Sequence, residues 1–283
     1  MTASPRPDPL VVCEAAARAG AAVLRDWVGR FAVTSKGPRD LVTEADVAAQ
    51  QAIRGVLLAA FPDHGFVGEE ADAAGGPQAP GSAGHAGTGD RWIVDPLDGT
   101  TNYVHGYPAY CVSIALAGAA GLEVGAILDP VRDECFTARR GGGAFLDGRP
   151  IRVAGTTALE DAIVAVSFPP QVTAASPAVA DLLAVLPRAH SIRRSGSTAL
   201  NLAYVACGRL QAFWARRIAC WDAAAGLLIA REAGATVESF AVRGGDVPLD
   251  DPAFIVASTP GLLAELREVL GTPAEPAVPA GRS

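Results

Sequence analysis

The sequence predicts an α+β fold of mixed helical and sheet layers. Three observations predict it: two helical stretches open the chain, short β-like runs crowd its middle, and strands alternate with helices through its second half. Residues 10–28 place Leu10, Ala17, Ala21, Leu24 and Val28 at helical spacing. Residues 43–61 form a second helix, with Val47, Ile53, Val56, Leu57 and Ala60 near one side and Pro62 as its stop. Residues 71–90 are rich in Gly, Ala and Pro and read as a mobile surface loop, too long for an ordinary connection. Strand patterns follow at 91–95, 110–117, 123–128 and 134–138, with turns at Gly141-Gly142-Gly143 and Asp147-Gly148. The second half then alternates. Strands are expected at 163–168, 191–194, 210–214, 236–240 and 254–257, and helices at 178–186, 198–206, 222–233 and 261–270. Residues 1–8 and 272–283 read as flexible tails, and no internal repeat is present.

Composition narrows the function. Half of the 283 residues are hydrophobic, which excludes a disordered chain and allows a sizeable core. Lys and Arg number 23 against 30 Asp and Glu, a net charge of −7, so nucleic acid is not expected as a bulk partner. A metal ion can still supply positive charge to a local phosphate pocket. Five dispersed cysteines, Cys13, Cys111, Cys135, Cys207 and Cys220, read as reduced thiols of a cytoplasmic protein. No secretory signal and no membrane span are expected.

The densest chemical signal is Asp95-Pro96-Leu97-Asp98-Gly99-Thr100-Thr101, after the apolar run Trp92-Ile93-Val94. Asp95 then ends a strand and Asp98 lies in the turn beyond, where Pro96 fixes φ and Gly99 permits a tight bend. Two such carboxylates, with the Leu97 carbonyl between them, can face one centre. Hard oxygen donors of this kind suit Mg²⁺. The plainer reading is an Asp-Pro turn before a capped helix. Glu69 and Glu70 are further acids, or simply solvated ones. Asp222 opens a helix, where an N-cap or first-turn acid is common. Asp46 closes the capping box Thr43-Glu44-Ala45-Asp46. The hydroxyls of Thr100 and Thr101 either cap a helix or orient a water or phosphate at its N-terminus. Four scattered histidines without HExxH argue against zinc, and nucleotide-loop and Gly-x-Ser-x-Gly motifs are absent.

Four segments in order resemble the inositol monophosphatase family over about residues 10–270: Asp40-Leu41-Val42-Thr43-Glu44-Ala45-Asp46, Gly68-Glu69-Glu70, Trp92-Ile93-Val94-Asp95-Pro96-Leu97-Asp98-Gly99-Thr100-Thr101-Asn102, and Cys220-Trp221-Asp222-Ala223-Ala224-Ala225-Gly226. The resemblance implies a layered αβαβα sandwich of the sugar-phosphatase type. It implies one domain over 9–271 in two packed halves, a metal-binding α+β half at about 9–153 and an α/β half at about 154–271. It also implies Mg²⁺-dependent hydrolysis of a small phosphate monoester by metal-activated water, with inositol 1-phosphate or a related sugar or polyol phosphate foremost. Glu69, Asp95 and the Leu97 carbonyl would hold a first ion, and Asp95, Asp98 and Asp222 a second. A third, looser ion would lean on Glu69. Asp46 and Thr100 would orient the attacking water, with Glu69 completing the catalytic set. The backbone at Gly99 and Thr100 would bind the phosphate, and Lys36 would assist its electrostatics. The segment around Ser197, Thr198 and Ala199 would meet the alcohol. A homodimer and inhibition by Li⁺ are further family expectations.

The chain departs from the family at one position. Ala215 stands where inositol-specific members carry a polyol-binding Glu. Arg216 and Arg217 follow it, either to read a second anionic group or as surface and interface charges. Histidinol phosphate, fructose 1,6-bisphosphate and 3′-phosphoadenosine 5′-phosphate therefore stay open as alternative substrates. A non-catalytic regulatory binding protein is the reading from another class.

Overall fold

The computed structural model describes residues 6–37, 40–70, 89–169, 171–240 and 246–271, with the backbone alone at 35–37 and 40–42. Helix α1 (Pro9–Trp27) begins where Asp8 accepts the Leu10 amide at 2.9 Å and Pro9 supplies a preset φ. A hairpin of β1 (Val33–Gly37) and β2 (Asp40–Thr43) leads into α2 (Glu44–Ala60). The expected capping box is present: Thr43 and Asp46 exchange side-chain and backbone hydrogen bonds at the start of α2.

A seven-stranded sheet follows, built from β3 (Gly65–Gly68), β4 (Arg91–Asp98), β5 (Cys111–Gly118), β6 (Gly121–Asp129), β7 (Glu134–Arg139), β8 (Gly143–Leu146) and β9 (Arg149–Pro150). The strands lie in chain order. Only β3 and β4 run parallel, as their long connection allows; the rest form an antiparallel meander. The short helix α3 (Thr100–Val104) sits between β4 and β5.

The second half supplies β10 (Ile163–Ser167), α4 (Pro177–Val185), β11 (Ser191–Arg193), α5 (Thr198–Ala206), β12 (Ala212–Ala215), α6 (Cys220–Glu232), β13 (Thr236–Ser239), β14 (Phe254–Ala257) and α7 (Pro260–Leu270). Its five strands are ordered β11-β10-β12-β14-β13. The first three are parallel, and β14 runs antiparallel to both of its neighbours.

Helices α1 and α2 cover one face of the large sheet, while α5 and α6 lie between the two sheets. Helices α4 and α7 close the far side. The expected αβαβα order is thus observed. Three apolar clusters fill the spaces between layers. Each fully buried Leu, Ile or Phe there contributes about 1.5–3 kcal/mol of burial. Helix α6 is buried on nearly every side, and its run Ala223-Ala224-Ala225-Gly226 lets two sheets and α5 approach it closely.

The structure departs from the sequence reading in a few places. The β1–β2 hairpin and strands β3, β8 and β9 were not expected as strands. Strand β4 does not end at Asp95; it continues through a bulge to Asp98. The surface loop expected at 71–90 lies, except for its last two residues, outside the described residues, as do residues 1–5 and 272–283 of the expected tails.

Candidate metal centre

The centre is organised by that bulge. Asp95 pairs with Ser113 and Asp98 with Cys111, so β4 advances three residues while β5 advances two. In a regular strand, residues three apart face opposite sides. The extra residue reverses the alternation and turns both carboxylates to one side. Asp222 reaches the same place from the first turn of α6, where Ala219, not Asp222, holds the N-cap position. Ser113 donates to the Trp221 carbonyl at 3.2 Å and so ties the start of α6 to the strand beside Asp95. Carboxylate oxygens of Asp95, Asp98 and Asp222 all lie within 4.8 Å of one another.

Glu69 arrives from the other neighbour of β4. Its amide donates to the Val94 carbonyl at 3.1 Å, one step beyond the Gly68–Val94 pair. The segment is fixed by Gln50 of α2, which donates to the Glu70 carbonyl at 2.9 Å and accepts the Glu70 amide at 3.0 Å. Gly68 is required beside that clamp, since a Cβ there would stand 2.2 Å from the Gln50 amide oxygen. Glu70, the other acid of the pair, is buried.

The electrostatics are those of crowded anions. Burial, then Glu69, Asp222 and Asp98, push the Asp95 carboxyl well above the usual carboxylate range. Burial, then Asp98 and Glu69, do the same to Asp222. Asp98 is raised by burial, against hydrogen bonds that favour its charged form. Among the described residues, none of these three carboxylates forms an ion pair. Crowded hard carboxylate oxygens whose charged form needs a cation fit a divalent ion such as Mg²⁺.

Thr100 and Asp46 lie side by side. The Thr100 hydroxyl lies 3.2 Å from Asp46 Oδ1 and 3.2 Å from the Leu97 carbonyl oxygen. Asp46 is fully buried, and its other oxygen accepts the Thr43 amide at 2.9 Å and the Thr43 hydroxyl. Asp46 thus serves both the cap of α2 and Thr100. Gly99 precedes α3 with φ +101°, and a Cβ on it would meet the Ala109 carbonyl at 2.9 Å. Only glycine fits both the dihedral and the space.

Other expected site residues sit differently. Ser197 is fully buried and donates to Asp98 Oδ2 at 2.6 Å, while the Ala199 amide donates to the same oxygen at 2.7 Å. The Thr198 hydroxyl donates to Ser167 at 2.9 Å. The Thr198 amide also hydrogen-bonds Asp98. The expectation that these three meet the alcohol gives way to one in which all three grip a carboxylate of the centre. Arg216 is likewise committed elsewhere. Its guanidinium forms a fork with Asp181, donates to the Leu270 carbonyl at 3.1 Å, and lies 4.0 Å over the Phe240 ring. That geometry replaces both the substrate-binding and the surface-charge readings of Arg216. Arg217 is exposed at φ +55°. Ala215 is fully buried at the end of β12. Lys36 lies on β1, and its side chain is outside what is described.

Sequence reasoning missed Gln50, Cys111 and Asn102. Cys111 Sγ lies 3.8 Å from Asp98 Oδ2, and Asn102 donates to the Ser195 carbonyl at 2.8 Å and the Ala109 carbonyl at 2.6 Å. Their partners are distant in the chain except for Ala109, so no local pattern announces them.

Residues 7–271 match the model of the inositol monophosphatase family. Over 266 residues the chain is 41% identical to an inositol-1-monophosphatase of Rhizobium meliloti, covering 93% of this chain and 96% of that protein. It is 41% identical over 235 residues to the Nus factor SuhB of Pseudomonas aeruginosa, covering 81% and 84%. The solved structure of the extragenic suppressor protein suhB from Bartonella henselae superposes with a TM-score of 0.80 at 38% identity, covering 92% of this chain and 97% of the other.

Proposed function

The chain belongs to the inositol monophosphatase family of phosphatases, and we propose that it hydrolyses a small sugar or polyol phosphate, inositol 1-phosphate foremost, in a reaction dependent on Mg²⁺. The observation that carries this reading is the convergence of three carboxylates, two of them buried and the third partly buried, within 4.8 Å beside the Thr100–Asp46 pair. Glu69, Asp95, the Leu97 carbonyl, Asp98 and Asp222 would hold two to three ions. Mg²⁺, when bound, supplies the positive charge and Lewis acidity that a dianionic ester requires.

The chain's own residues do the rest. Thr100 donates toward Asp46 and leaves its oxygen lone pairs to accept a hydrogen bond from a water, which would orient that water toward phosphorus. Asp46, buried and held by Thr43, keeps Thr100 in one rotamer. The amides at Gly99 and Thr100, at the start of α3, would bind the phosphate oxygens. Positioning and charge stabilisation carry most of such a reaction. The leaving alcohol would face Asp98, Asp222 and the end of β12, where Ala215 offers no hydrogen-bond acceptor to a polyol. That gap keeps histidinol phosphate, fructose 1,6-bisphosphate and 3′-phosphoadenosine 5′-phosphate as alternative substrates to be tested. A cytoplasmic location, a homodimer and sensitivity to Li⁺ belong to the same proposal.

The test is phosphate release from these four esters with Mg²⁺ and with EDTA. Release that depends on Mg²⁺ is the expected result, and the preferred ester identifies the substrate. Relatives called Nus factor SuhB favour a second reading, a non-catalytic regulatory binding role. Absence of release from every ester would move that reading to the front.

A further inference from the structure

We propose that Ser197 is a positioning residue for the metal centre, not a substrate contact: it fixes the Asp98 carboxylate from α5. The proposal rests on the metal-dependent reading given above. Asp98 Oδ2 accepts the Ser197 hydroxyl at 2.6 Å and the Ala199 amide at 2.7 Å, with Cys111 Sγ a third, weaker neighbour at 3.8 Å. The Thr198 amide is a further donor to this carboxylate. The two short bonds to Oδ2 direct Oδ1 to a cation. Ser197 itself is engaged within the protein, and Cys111 Sγ lies 3.7 Å from its hydroxyl oxygen. Its hydroxyl proton goes to Asp98, its oxygen accepts the Leu200 amide at 3.3 Å as the N-cap of α5, and its side chain is wholly buried.

The cap is held rigidly. Ser195 donates to Asn201 Oδ1 at 2.8 Å, and Asn102 ties the Ser195 carbonyl to the segment that follows Asp98. The rotation of the Asp98 carboxylate is therefore set by α5, which packs against the five-stranded sheet, and not by the strand that carries Asp98. Residues that orient a ligand in this way govern metal affinity more than substrate affinity, and their loss weakens metal binding by about 10- to 100-fold.

The experiment is Mn²⁺ binding to the full chain without substrate, followed by electron paramagnetic resonance, together with steady-state kinetics at saturating metal. Ser197→Ala is expected to weaken Mn²⁺ binding by about tenfold, while KM for an accepted ester changes less than about twofold. Ser197→Thr, which keeps the hydroxyl, is expected to restore binding. Thr259→Ala removes the equivalent cap of α7, away from the centre, and is expected to leave Mn²⁺ binding unchanged. This control separates positioning from a general loss of stability. Unchanged Mn²⁺ affinity in Ser197→Ala with a raised KM would overturn the proposal in favour of a substrate contact. Equal weakening in Thr259→Ala would overturn it in favour of a global effect. Wild-type protein that takes up no Mn²⁺ would overturn the metal-centre reading itself, a distinct failure.

Discussion

Replacing Asp95 by Asn is expected to abolish turnover and yet to stabilise the metal-free protein. The carboxylate oxygens of Asp95, Asp98 and Asp222 lie within 4.8 Å of one another. At an effective dielectric constant near 20, two unit charges at that separation repel by roughly 3.5 kcal/mol. Asp95 meets two such neighbours, with Glu69 acting on it as well. Protonation relieves most of this repulsion when no cation is bound, so neutralising Asp95 by substitution recovers only part, about 2 kcal/mol. For a chain of this size that is a rise of roughly 4–8 °C in melting temperature. The Asn side-chain oxygen can still accept the Leu97 amide, which donates to Asp95 Oδ1 at 2.9 Å, so the bulge survives.

The assay is thermal unfolding in EDTA from pH 5 to pH 8, repeated with Mg²⁺. The pKa values of Asp95, Asp98 and Asp222 are all raised on folding. The folded chain thus holds protons that the unfolded chain has released. That contribution to stability is complete below the unfolded value near about 4 and is lost as pH rises through the folded values. Metal-free wild type is therefore expected to weaken as pH rises, and Asp95→Asn to flatten the slope. Mg²⁺ is expected to raise the wild-type melting temperature more than that of the variant. A metal-free variant that melts at or below the wild-type temperature throughout this range would refute the repulsion argument.

Thr100→Val keeps the shape of the side chain and removes the hydroxyl that faces Asp46; kcat is expected to fall about 10²- to 10³-fold with little change in KM or melting temperature, and a fall under tenfold would remove Thr100 from the water-orienting role. Arg216→Ala leaves Asp181 buried without its guanidinium and is expected to cost about 3–5 kcal/mol in urea unfolding, with KM unchanged; a raised KM at wild-type stability would return Arg216 to the substrate side.

Much of the fold was legible because its helices carry strong local signals. The helix spacing at 10–28, the Thr43–Asp46 capping box and Pro62 place α1 and α2 to within a residue or two. The hairpin before α2 was not legible, since Val33-Thr34-Ser35-Lys36-Gly37 offers no apolar alternation. Strand β3 was missed because four residues are too few to show a period. The acids that converge were each visible as residue types, but every one of them has an ordinary local explanation. What the sequence could not show is which residues hold them. Ser197 and Asp98 are 99 positions apart, and Gln50 grips a backbone 20 positions away. Arg216 was misjudged for the same reason: its partner Asp181 belongs to α4, 35 positions earlier.

The bulge in β4 carries a consequence for parity. Pleated chains sort side chains by odd and even position, so two groups separated by an odd count part company. Asp95 and Asp98 are an odd count apart yet share an address, which only a miscounted strand permits. A regular strand that kept all three steps from Asp95 to Asp98 would be better formed and the centre dismantled, with one acid driven toward the opposite layer. Regularity and chemistry are thus opposed at this point of the sheet. In an unknown sequence, an apolar run followed by two acids at odd spacing is therefore a sign that the ladder has been deliberately put out of step.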